Sequence, residues 1–113
     1  MAEHRSPRPT TLDSYDLEEV EVPLGQGKAQ GKEMTRATRI TIHGKNIFLR
    51  ALEPTVTVGG IEVLYPRIDP DERTITGYLV STPPEGAHIQ LVYRGQEPVH
   101  MTTPFTAKKL KRR

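Results

Sequence analysis

The chain of 113 residues contains no cysteine. That removes disulfides, thiolate metal ligands and a cysteine nucleophile. Tryptophan is also missing, and four tyrosines and two phenylalanines are the whole aromatic complement, a sparse set from which to build stacking platforms for sugars or bases. No apolar run approaches the roughly 18 residues of a membrane-spanning helix. The opening stretch MAEHRSPRPTTLDSYDLEE has no apolar leader core, so no secretion signal is expected, and the expected location is cytoplasmic or virion-associated. Helical periodicity is absent as well. What is plentiful is punctuation: ten prolines and nine glycines cut the chain into short segments and disfavour a helical bundle. The length suits one domain.

Period-two alternation, the mark of a strand with one buried face, recurs between these breaks. Residues 1–16, with Pro7 and Pro9 among polar neighbours, read as a flexible or extended arm. In Leu17–Val22, Val20 and Val22 alternate with Glu19 and Glu21, and Pro23 ends the strand. Gly25, Gly27 and Gly31 mark a loop. Ile40 and Ile42 oppose Thr41 and His43, Gly44 breaks that strand, and Ile47–Leu49 forms an apolar plug. Val56 and Val58, the pair Gly59–Gly60, then Ile61, Val63 and Tyr65 read as a hairpin ended by Pro66. Further strands are expected over Thr74–Thr82, Ala87–Arg94 and Val99–Phe105, the last interrupted by Pro104.

Six or seven short strands predict an all-β sandwich or small barrel over residues 17–106. Its expected core is Ile40, Ile42, Val56, Val58, Ile75, Leu79, Ile89, Leu91 and Phe105. Gly44, Gly59, Gly60 and Gly86 are expected at turns. Tyr65, Tyr78 and Tyr93 are expected in the core or in cross-strand pairs.

Three stretches resemble the IPT/TIG domain family. Ile40-Thr41-Ile42-His43-Gly44-Lys45-Asn46-Ile47-Phe48 is similar to its TItGxNF strand, and Val56-Thr57-Val58-Gly59-Gly60 to its V-x-V-G-G strand and turn. Ile75–Pro84 followed by Glu85-Gly86-Ala87 resembles its I-x-x-x-x-P-P-x-G segment. The likeness spans residues 36–106. It implies an immunoglobulin-like antiparallel β-sandwich of about seven strands, acting as an interaction module, spacer or dimerisation surface. The family's opening strand is reduced here to Val20-Glu21-Val22-Pro23, and Met34-Thr35 stands where the family has Gly-Thr.

Charge is unevenly placed. Residues 1–106 hold 11 basic and 14 acidic side chains, whereas the tail 107–113 holds five basic and no acidic ones. Lys108, Lys109, Lys111, Arg112 and Arg113 are therefore the candidate polyanion-binding residues, able to neutralise phosphates of nucleic acid or an anionic surface without reading bases. Asp13, Asp16, Glu18, Glu19 and Glu21 form a purely acidic run. The two runs either meet, within one molecule or between two, or remain solvated.

The residues make a poor case for catalysis. His4, His43, His88 and His100 have no metal-ligand spacing, and Asp69, Asp71 and Glu72 lack the calcium-loop pattern and read as a turn. Ser6, Ser14 and Ser81 lie outside any nucleophile elbow, and the glycines at 25–31 lack a phosphate-loop ending. No cofactor, metal or catalytic residue is expected. The expected role is a non-enzymatic protein–protein interaction or structural module, a subunit of a larger assembly whose partner is another protein or another copy. The alternative is a nucleic-acid-associated protein acting through the basic tail.

Overall fold

In the computed structural model, which describes residues 9–23, 34–47, 54–93 and 97–111, the alternating segments turn every second residue inward. Ile75, Gly77 and Leu79 are buried between partly exposed neighbours in one strand, and Ile89 and Leu91 in another. Nine strands lie among the described residues: β1 (Thr11–Pro23), β2 (Met34–Lys45), β3 (Thr55–Val58), β4 (Ile61–Glu62), β5 (Leu64–Ile68), β6 (Thr74–Leu79), β7 (Ile89–Val92), β8 (Val99–His100) and β9 (Leu110–Lys111). They form two sheets, β5-β6-β2-β1-β9 and β4-β3-β7-β8. Every pairing is antiparallel except β1 with β9. With β9 set aside, the two sheets have the strand connectivity of an immunoglobulin-like sandwich. Among the described residues no helix is long and apolar enough to cross a membrane.

All nine expected core residues are buried, each at 3% exposure or less. They come from both sheets and merge into one cluster. The Gly59–Gly60 turn has φ of 61° and 86°, the positive pair that a two-residue hairpin of this hand requires. The acidic stretch Asp69–Glu72 is a turn as expected, with the Asp69 N–H on the Thr74 carbonyl and the Glu72 N–H on the Asp69 carbonyl, each at 2.9 Å.

Four features depart from the sequence expectation. First, β1 starts at Thr11, so residues 11–16 belong to the sheet and not to an arm. Leu12, Tyr15 and Leu17 are all buried. A register shift between Leu12 and Ser14 inserts one residue, which spoils the alternation that would have revealed the strand. Second, Gly44 is not at a turn. It lies within β2 opposite Leu12, where an added Cβ would stand 2.0 Å from the Thr11 carbonyl oxygen.

Third, the hairpin strand after Gly60 is only Ile61–Glu62. Val63 carries the chain into the other sheet, where β5 is an edge strand that tolerates Pro66. Tyr65 is therefore neither core nor a cross-strand packing residue: it is 80% exposed with φ of 53°. Tyr93 is buried as expected. Gly77 permits this crossover, because a Cβ there would lie 2.3 Å from Val63 Cγ1. Fourth, β8 is only Val99–His100; beyond it the chain stays beside the lead-in of β7, with the Met101 N–H on the Ile89 carbonyl and the Phe105 N–H on the Ala87 carbonyl, each at 2.9 Å, and Met101 and Phe105 are buried. The loop Gly25–Gly31, Phe48, Leu49 and Arg94 lie outside the described residues, as do arm residues 1–8.

Candidate functional site

The C-terminal segment is bound to the sandwich by a small set of polar contacts centred on Tyr15. Its hydroxyl accepts the Thr106 N–H at 2.8 Å and donates to the Pro104 carbonyl at 3.1 Å. Burial raises the phenol pKa above its ordinary value. The ring stacks near Phe105, with centroids 6.1 Å apart. The Lys109 ammonium also lies against it, 4.3 Å from the ring centroid. Thr106 caps the short 3₁₀ turn Ala107–Lys109 by accepting the Lys108 N–H. Beyond the turn, β9 pairs in parallel with β1, Leu110 beside Leu17 and Lys111 beside Glu18.

Glu85 completes the clasp by accepting the Ala107 N–H at 2.8 Å. That bond, the Thr106 hydroxyl and the Lys108 charge hold its carboxyl below the usual range. A lowered folded-state pKa stabilises the clasp above the ordinary carboxyl range, and the contribution is lost as pH falls through the lowered value. An NMR pH titration should show the Ala107 amide shifting with a midpoint below that of a free glutamate. Glu85→Gln should abolish this inflection. An Ala107 signal that titrates normally in both proteins would refute the contact.

These contacts involve part of the expected basic run. Lys108 is exposed, Lys109 is turned onto Tyr15, and Lys111 is part of β9. Arg112 and Arg113 lie outside the described residues. The two charge runs do meet within one molecule, since β9 lies beside the acidic strand. Sequence reasoning missed Tyr15, Glu85 and Thr106. Thr106 before Ala107-Lys108-Lys109 has the form of a capping residue, but nothing local links Tyr15 to a segment some ninety residues away.

The second feature is the far half of the β1–β2 pair. β6 pairs with β2 only over Thr38–His43, and β9 pairs with β1 only at Leu17 and Glu18. Past these points Val20–Pro23 and Met34–Ala37 pair only with each other among the described residues, and Glu19 pairs with Thr38 at their root. They form a two-stranded ribbon projecting from the sheet. At its root Glu19 pairs with Arg36 at 3.2 Å, and farther back along β1 Glu18 pairs with Arg39 and Asp16 with His43 at 2.9 Å. Such surface pairs contribute at most about 1 kcal/mol each. Glu21 is exposed and has no ion-pair partner among the described residues. A shallow groove at the ribbon's root runs between Glu19, Ala37, Val80 and Leu110.

His88, just before β7, and His100, at the end of β8, are both exposed at the same end of the smaller sheet. Among the described residues no three histidine, aspartate or glutamate side chains gather around a common metal position. Comparison with known proteins returned no matching family model, no matching curated protein and no matching solved structure.

Proposed function

We propose that this chain is a non-enzymatic interaction module, a subunit of a larger cytoplasmic or virion-associated assembly, that engages a protein partner through the β1–β2 ribbon. The observation that carries this reading is the open edge of β1. A 13-residue strand leaves its last five residues, Glu19–Pro23, without a neighbour on one side among the described residues. Unpaired backbone N–H and C=O groups on such an edge are a template for another strand. An isolated two-stranded ribbon is only marginally stable in water, so a partner strand would stabilise it. The likeness of Ile40–Phe48, Val56–Gly60 and Ile75–Ala87 to IPT/TIG motifs supports the same class of role. The placement of Lys109 on Tyr15 and of β9 beside an acidic strand weighs against the tail as a nucleic-acid contact.

Native size in an extract of the source tests this reading. Size-exclusion chromatography with mass spectrometry should find the chain far above its 12.7 kDa, with a fixed protein partner. Elution as a monomer would overturn the reading. Collapse to a monomer after nuclease treatment would overturn it in favour of nucleic-acid association.

A further inference from the structure

The chain's own C-terminus shows what the edge of β1 accepts. The segment that joins it is drawn from Lys-Lys-Leu-Lys. It places an apolar residue beside Leu17 and a basic one beside Glu18. From Glu19 onward the pattern on β1 is Glu19, Val20, Glu21, Val22. Side chains alternate between the two faces of a strand, so one face presents the two glutamates and the other the two valines. Arg36 offsets Glu19, and Glu21 keeps its charge exposed.

Building on the reading above, we infer that this edge docks a basic extended segment of the partner. That segment adds as a strand along Glu19–Pro23, with lysines or arginines at alternate positions and valine- or threonine-like residues between them. The basic positions face Glu19 and Glu21, while the intervening ones extend the apolar row of Val20 and Val22. A second copy of β1 is a worse occupant. It would bring the glutamates of two acidic strands into one ladder, and like charges across a ladder destabilise it. An acidic partner strand meets the same repulsion. Main-chain bonds supply affinity on such an edge, and alternate side chains supply selectivity.

The probe is an eight-residue peptide alternating lysine with valine or threonine, titrated into the ¹⁵N-labelled full chain. Its control replaces each lysine with glutamate. The lysine peptide should shift the amides of Glu19–Val22, and the glutamate peptide should not. Glu19→Lys with Glu21→Lys should weaken binding by about tenfold or more, as two attractions become repulsions, with amide dispersion elsewhere unchanged. Glu21→Gln, a milder change at an exposed position, should weaken it less. The inference is overturned by absence of binding, by shifts confined to other strands, or by equal binding of both peptides. It is also overturned if the ribbon amides respond to protein concentration alone, which would make a second copy the occupant. A chain that elutes with its partner but fails here keeps the assembly role and loses this site. A monomer in the extract that passes here loses the assembly role alone.

Discussion

Tyr15→Ala should lower stability by about 3–5 kcal/mol, the usual cost of removing a buried aromatic side chain. Tyr15 is fully buried at 0% exposure, so its removal leaves a cavity in the core. The ring supports Phe105 on one contact and Lys109 on another, and the hydroxyl fixes Pro104 and Thr106. The loss is large against the roughly 5–15 kcal/mol that holds a typical domain folded. Tyr15→Phe keeps the packing and removes the hydroxyl. It leaves the Thr106 N–H unpaired and should cost about 1–3 kcal/mol. Urea midpoints order the three proteins, and hydrogen exchange at Thr106 and Lys108 reads the clasp directly. Faster exchange at those amides in Tyr15→Phe, with the rest of the sandwich protected, is the expected pattern. Equal midpoints for Tyr15→Ala and the unaltered chain would show that the first strand does not pack as described.

Gly44→Ala should be the costlier of two small glycine substitutions. The new methyl would meet the Thr11 carbonyl oxygen at 2.0 Å and Ile47 Cδ1 at 3.2 Å. The first contact is with backbone on a paired strand, so relief requires β1 and β2 to separate beside the irregular rung. Overpacking of this kind costs about 1–3 kcal/mol, and more where backbone must move. Gly86→Ala is the comparison. Gly86 has φ of 82° but nothing lies within 4 Å of an added Cβ, so only the backbone preference is lost, about 1 kcal/mol. Denaturant midpoints of the two variants give the ordering. A Gly86→Ala protein less stable than Gly44→Ala would contradict the close approach of Thr11 to β2.

Several elements were legible because their signal is local. Ile40 and Ile42, Ile75 and Leu79, and Ile89 and Leu91 alternate with polar residues, and each pair is buried. Gly59–Gly60 forms the expected turn. The candidate site was legible only in part. The sequence shows an acidic run near one end and a basic run at the other, and the structure lays them side by side. It does not show that Lys109 is held on an aromatic ring, because that contact spans 94 positions between Tyr15 and Lys109.

The sequence by itself determined the all-β class, the principal core and the turns at Gly59–Gly60 and Gly86, since each follows from period-two alternation or from glycine's access to positive φ. Tertiary structure alone decided where β1 begins, because an inserted residue between Leu12 and Ser14 breaks the period while keeping Leu12 and Tyr15 inward. It decided that the chain changes sheets at Val63, where Gly77 gives it room. It decided that Leu110–Lys111 becomes a parallel edge strand and that Glu19–Pro23 has no neighbour on that side among the described residues. Those outcomes depend on which backbone groups find partners and which volumes are filled across the whole sandwich, and no local window of sequence contains that information.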